Sequence, residues 1–256
     1  MVTLPDARTP PGMRIYAIGD VHGRYDLLCQ VHDWIEADLA RIQPQDWRVV
    51  HLGDYIDRGP QPRQVLEFLI RRSADPRIIC LKGNHDHYLT DFADDMDTAY
   101  LERWLTYGGA ETFEGYGIDP GFATLPVHDP MRPEIHAELL EAVPPEHLDF
   151  LDALDLSLHL GDYFFAHAGV QPGVALDRQQ DWKLMWMREP FLSSDEDLGA
   201  VVVHGHTISD VPVVRRNRIG IDTGAFRTDR LTCLVLEGAR FGILNERSVK
   251  QLSIES

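Results

Sequence analysis

Cysteine is scarce. Cys29, Cys80 and Cys233 are the three in 256 residues, an odd number with no C-x-x-C pair. That excludes a disulfide framework and a thiolate metal cluster, and it fits reduced, buried thiols. No stretch approaches the roughly 18 consecutive apolar residues of a membrane span, so a soluble, cytoplasmic chain with no membrane partner is expected. The first 13 residues, MVTLPDARTPPGM, contain no apolar run that could form a signal-peptide core, and they are expected to form a flexible N-terminal segment. Basic residues are few, 24 against 41 acidic ones, for a formal charge of −17. This balance argues against a nucleic-acid binder, whose affinity comes from Lys and Arg neutralising phosphates. It leaves room for a phosphate-handling enzyme whose carboxylates are masked by metal ions.

What is present is enough for a core: 44% of the residues are hydrophobic. Short β-branched runs recur, each closing on a polar turn: 14–20, 47–54, 77–84, 162–169, 200–206, 218–222, and the pair 231–237 and 240–245. Helical spacing separates the early runs, with Leu27, Leu28, Val31, Ile35, Leu39 and Ile42 on one face and Val65, Leu66, Leu69 and Ile70 on another. Strand and helix in alternation predict βαβ units and an α/β fold, while the closing runs, lacking helices between them, predict antiparallel hairpins. A single domain is expected over 14–256, with an acidic helical insertion at about 91–155. Asp91 to Val143 holds 12 acidic residues and only Arg103 and Arg132 as basic ones, and its plainest reading is a solvated helical face.

In open α/β sheets ligands bind beyond the carboxyl ends of strands. Here those ends read Gly19-Asp20-Val21-His22-Gly23, Gly53-Asp54-Tyr55-Ile56-Asp57-Arg58-Gly59, Gly83-Asn84-His85-Asp86, His167-Ala168-Gly169 and His204-Gly205-His206. Carboxylate, imidazole and amide donors together suit Mn, Fe or Zn rather than Mg or Ca. In D-x-H both side chains leave the same side of an extended segment, as two ligands of one ion require. One such tripeptide means little; five in order, each at an expected strand end, have no structural explanation.

These motifs resemble the metallophosphoesterases, specifically the phosphoprotein phosphatase branch with its GDxHG, GDxxDRG, GNH[ED], HxG and GH signatures. The resemblance covers about residues 14–236. Trp104-Leu105 followed by Gly108-Gly109, Trp186-Met187-Arg188-Glu189 and Ile221-Asp222-Thr223-Gly224-Ala225 are similar to the small phage and bacterial protein phosphatases. The fold it implies is a calcineurin-like sandwich, two packed mixed β-sheets flanked by helices. It further implies two divalent metal ions, Mn2+ first with Fe or Zn as alternatives. Asp20 and His22 would bind the first, Asp54 would bridge, and Asn84, His167 and His206 would complete the second. Two ions about 3.5 to 4 Å apart need such a shared anion, and between them a water can lose a proton near neutral pH to give the attacking hydroxide. The resemblance makes Arg58 and Arg188, with Asn84, the phosphate grip, His85 the general acid and Asp57 the residue that orients it.

His204 competes with His206 for one role, and the glycine-histidine spacing selects His206. No chemistry is assigned to His32, His51, His87, His128, His136, His147 or His159. Asp86 stands where most of these phosphatases carry Glu, and the five tryptophans are read as core. The expected function is hydrolysis of phosphoserine and phosphothreonine in a phosphorylated protein or peptide. The rivals are a symmetrical dinucleoside tetraphosphatase and, from another class, a metal-holding phosphopeptide-binding module without turnover. Tetraphosphatases of this superfamily typically lack the Asp that orients the acid, which Asp57 supplies here. A binding module usually loses a ligand or the acid, and neither is lost.

Overall fold

Strand β1 (Met13–Ile18) is buried at every position because it has a packed layer on each side. Ile15 and Ala17 enter the core between two sheets, while Tyr16 and Ile18 enter a second core beneath helices. This two-residue alternation is the strand period at work. The computed structural model describes residues 2–94, 98–124 and 132–254; His128 lies outside them.

The remaining strands are β2 (Asp46–His51), β3 (Ile78–Cys80), β4 (Ser157–Leu160), β5 (Tyr163–Ala166), β6 (Val201–His204), β7 (Val213–Val214), β8 (Arg218–Gly220), β9 (Cys233–Glu237), β10 (Arg240–Leu244) and β11 (Val249–Gln251). The first sheet runs β11-β10-β9-β1-β2-β3 and the second β4-β5-β6-β8-β7. β1, β2 and β3 are parallel, joined through helices α1 (Tyr25–Ile42) and α2 (Pro62–Arg72), and β9, β10 and β11 close the sheet as antiparallel hairpins. In the second sheet Tyr163, Phe165, Val201 and Val203 face the shared core, and Phe164, Ala166 and Val202 face an outer cluster around Phe191. The expected sandwich of two mixed sheets flanked by helices is therefore present. β4, β7 and β11, of two to four residues, lie outside the β-branched runs of the sequence.

The N-terminal segment departs from the expectation of flexibility. Leu4 and Ala7 are fully buried in the inter-sheet core. The Leu4 N–H donates to the Arg216 carbonyl at 2.7 Å, and the Arg8 N–H to Asp162 at 2.9 Å. Prolines forbid regular structure there but do not stop two isolated apolar side chains from docking.

The acidic stretch forms α3 (Asn84–Asp94), α4 (Thr98–Thr106), α5 (Ala110–Gly115), α6 (Arg132–Ala142) and α7 (Pro145–Asp152). It is more than a solvated face. Tyr88, Phe92, Trp104, Phe113 and Leu139 bury into the same core as α1 and α2. The last two helices are α8 (Asp181–Trp186) and α9 (Ala225–Thr228). No helix among the described residues is long and apolar enough to cross a membrane.

Candidate active site

Beyond the ends of β1, β2, β3, β5 and β6 the chain turns sharply. Of seven non-glycine residues with positive φ among those described, five stand here: His22 (44°), Asp54 (53°), Asp57 (68°), Arg58 (66°) and His206 (59°). Each such conformation costs on the order of 1–3 kcal/mol and persists only where surrounding contacts hold it. Two glycines leave room that a side chain would fill. A Cβ on Gly83 would lie 2.2 Å from Asp54 Oδ1, and one on Gly205 1.9 Å from Asp20 Oδ1.

The hydrogen-bond pattern fixes the tautomer of two histidines. His22 donates from Nδ1 to the Ile56 carbonyl at 2.8 Å, and His167 from Nδ1 to the Leu52 carbonyl at 2.9 Å. Each neutral ring is left with a lone pair on Nε2. That of His22 lies 3.5 Å from Asp54 Oδ2; that of His167 lies 3.4 Å from Asp54 Oδ1 and 2.9 Å from Asn84 Oδ1. Lone pairs converging on lone pairs repel, and a cation between them removes the conflict. Burial lowers both imidazoles below their ordinary pKa and, with His167 next, takes His206 to about 2, so all three are neutral donors.

Two groups of ligand atoms within 4.8 Å of one another emerge among the described residues, His22–Asp54–His85 and Asp54–His167–His206, with Asp54 common to both. Asp20 lies outside these groups, yet it is buried, its Oδ2 accepts the His206 N–H at 3.0 Å, and its Oδ1 has no hydrogen-bond partner. Burial, then the carboxylates of Asp222 and Asp54, push Asp20 well above the usual carboxylate range. Asp222, which the sequence reading left without a role, has its own unpartnered Oδ2 and is raised to about 6, chiefly by burial. This concentration of buried acid is a further fit to a divalent cation. The residues present therefore suit metal ions.

His85 is committed through Nδ1 to Asp57 Oδ2 at 2.6 Å. Burial favours its neutral ring, but Asp54 and then Asp57 outweigh that and raise its pKa. Asp57 is itself fixed by the insertion: Trp104 Nε1 donates to its Oδ2 at 2.8 Å, and the Thr112 hydroxyl donates to Oδ1 and accepts the Asp57 N–H. Trp104 is thus both core and a support for Asp57. Thr112 carries no sequence signal, because it reaches Asp57 only through folding. Asp86 accepts the N–H groups of Asp54, Tyr55 and Gly83 at 2.8 to 2.9 Å, so it builds the turn that presents Asp54.

Arg58 donates to His22 Nε2 at 2.7 Å and to the Tyr107 carbonyl at 3.2 Å, and its Nη2 lies 2.9 Å from His85 Nε2. Arg188 follows α8 in the connection between β5 and β6 and is exposed, reaching Thr207 Oγ1 at 3.2 Å and the His206 carbonyl at 3.5 Å. His204 is separate: it is buried against Phe191, with ring centroids 5.0 Å apart, and belongs to neither ligand group.

A calcineurin-like phosphoesterase family model matches residues 13–233. A symmetrical bis(5'-nucleosyl)-tetraphosphatase of Methylococcus capsulatus is 39% identical over 160 residues, which are 62% of this chain and 44% of that protein. Serine/threonine-protein phosphatase 2 of Salmonella typhimurium is 28% identical over 229 residues, 85% of this chain and 90% of that protein. Among solved structures, the cold-active protein-tyrosine phosphatase of a Shewanella species shares the fold, with a TM-score of 0.56 at 17% identity over 96% of this chain and 83% of that one.

Proposed function

The chain belongs to the calcineurin-like phosphoesterases, and from that premise we propose that it is a dinuclear, manganese-dependent phosphomonoesterase acting on phosphoserine and phosphothreonine in proteins. The observation that carries the reading is the 2.6 Å bond from His85 to Asp57. An acid oriented by its own carboxylate is needed to protonate a poor alkoxide leaving group. The dinucleoside tetraphosphatase pattern typically lacks that carboxylate.

In this reading His22, Asp54, Asn84, His167 and His206 hold the ions, with Asp54 shared and Asp20 drawn in by its unpartnered oxygen. When bound, such ions supply an activated water at neutral pH and charge neutralisation. Arg58, from the turn after β2, and Arg188, from the connection between β5 and β6, grip the phosphate oxygens, with the Asn84 amide beside them. His85 Nε2 faces the leaving oxygen, since Nδ1 is engaged. Asp57 holds the ring cationic, and Trp104 and Thr112 hold Asp57.

A second reading, symmetrical hydrolysis of dinucleoside tetraphosphates, is favoured by the 39% identity to the Methylococcus enzyme. The experiment is a direct comparison on the Mn-loaded chain: phosphate release from a phosphoserine peptide against cleavage of diadenosine tetraphosphate. A higher kcat/KM for the peptide is expected; a hundredfold preference for the nucleotide would sink the phosphatase reading.

A further inference from the structure

A hollow of about 430 Å3 lies between α1, the connection from β6 to β7 and the closing hairpins, and none of its lining residues belongs to either ligand group. Its apolar walls are Trp34 on α1, Val211 and Pro212 before β7, Leu231 before β9, and Ile243 and Leu252 around the last hairpin. Val211 is 58% exposed and Trp34 is half-buried, so apolar surface here stays open to solvent. A lone exposed apolar side chain is ordinary. A concave, mostly apolar group with a few polar residues has the make-up of a small-molecule site, and such sites measure roughly 300–1,000 Å3.

The polar groups decide what fits. The wall hydroxyls are satisfied within the protein: Thr223 Oγ1 and Thr232 Oγ1 lie 2.8 Å apart, and Thr223 donates to the Arg230 carbonyl at 3.0 Å. Asp229, the one lining carboxylate, is held by Arg24 at 2.6 Å. The two lining cations are less committed. Arg230 is exposed and donates from Nη2 to the Asp210 carbonyl at 2.7 Å, and neither it nor the exposed Lys250 has an acidic partner among the described residues. In a chain of formal charge −17, two such cations beside apolar walls select an anion and disfavour a cation. The site is also distinct from the strand-end turns. Thr223 and Thr232 form the wall towards them, Thr223 following Asp222 and the Thr232 carbonyl accepting the Gly19 N–H at 3.0 Å.

We infer that this hollow is a second ligand site, which takes a small amphipathic carboxylate with an alkyl chain of medium length. The chain packs on Trp34, Leu231 and Ile243, and the carboxylate is held by Arg230 and Lys250. Binding is non-covalent and does not depend on which phosphate ester the chain hydrolyses.

The test is calorimetric titration of decanoate into the Mn-loaded full chain, with octanoate, decanol and decylamine as comparisons. One decanoate should bind per chain. Octanoate should bind roughly tenfold more weakly, the change that burial of two methylenes converts to. Decanol, which lacks the charge, should lose about tenfold or more, and decylamine should lose more still. Val211→Asp, which sets a carboxylate at an exposed position of the mouth, and Lys250→Ala, which removes a cation, should each weaken decanoate by about 3- to 10-fold at the parent Tm. No binding at millimolar decanoate, decanol or decylamine bound as tightly as decanoate, or an affinity unmoved in both variants overturns the inference. So does displacement of decanoate by inorganic phosphate, which would put its carboxylate on the metal ions. None of these results bears on the phosphatase reading, which the comparison of peptide with nucleotide tests by turnover.

Discussion

Arg58 donates from Nη1 to His22 Nε2 at 2.7 Å, so a cation of the second strand-end motif rests on a ligand lone pair of the first. In the proposed function a metal ion on His22 would need that same lone pair, which would make Arg58 and the ion competitors at one atom and leave Arg58 free for phosphate when the ion wins. Arg58→Ala should therefore bind Mn2+ at least as tightly by calorimetry. The loss of a charge-assisted contact, about 1.5–3 kcal/mol, should lower kcat/KM roughly 10- to 150-fold. Weaker Mn2+ binding in the variant would contradict the competition.

The support of Asp57 gives a second test. Thr112→Val removes a donor to the Asp57 carboxylate and an acceptor for its N–H, both buried. Two unmet groups should cost about 1–3 kcal/mol each in urea unfolding. Because Asp57 is then held by Trp104 alone and orients His85 less firmly, kcat should fall by about tenfold, while His85→Ala itself should cost about 10²–10⁴-fold. A Thr112→Val enzyme with unchanged kcat would separate Asp57 from the reaction.

Glycine at 205 and 83 is a steric requirement of the positions held by Asp20 and Asp54, two of the proposed ligands. Gly205→Ala puts a Cβ where Asp20 Oδ1 now lies, and Gly83→Ala does the same to Asp54 Oδ1. Both variants should keep the circular dichroism of the parent and lose Mn2+ affinity by at least tenfold, more at Gly83 because Asp54 is shared. Parent-like affinity in Gly83→Ala would remove Asp54 from the ligand set.

The pH dependence of stability should carry the mark of a buried histidine pair that belongs to neither ligand group. His32 and His51 stack with Nε2 atoms 3.2 Å apart, and neither Nδ1 has a partner. Burial, then Arg72, takes His32 to about 3; burial, then His32, lowers His51 as well. A histidine whose folded pKa lies below its unfolded value of about 6.5 binds fewer protons when folded. Its contribution is therefore intact above pH 6.5 and erodes as pH falls from there towards 3. The double variant His32→Leu/His51→Leu should show a shallower loss of Tm between pH 6.5 and 4 than the parent. An unchanged slope would show that the pair does not titrate on unfolding.

The sequence by itself determined the sheet order's beginnings and the chemistry at the strand ends. A strand followed by a glycine turn is a local object, and D-x-H or G-N-H states both what the residues are and which way they leave the backbone. Spacing read the helices α1 and α2 for the same reason: their faces repeat within a few residues. Only the tertiary structure decided what holds those groups in working form. Trp104 and Thr112 meet Asp57 across 47 and 55 residues of chain, inside a segment whose composition read as solvated. The carbonyls of Ile56 and Leu52 select the tautomers of His22 and His167, and a residue's carbonyl is invisible in its letter. The docking of Leu4 and the placing of Phe226 and Trp186 around Arg58 and His206 follow likewise from packing between distant segments. That choice is made by complementarity of whole surfaces, for which no local pattern in the chain is a proxy.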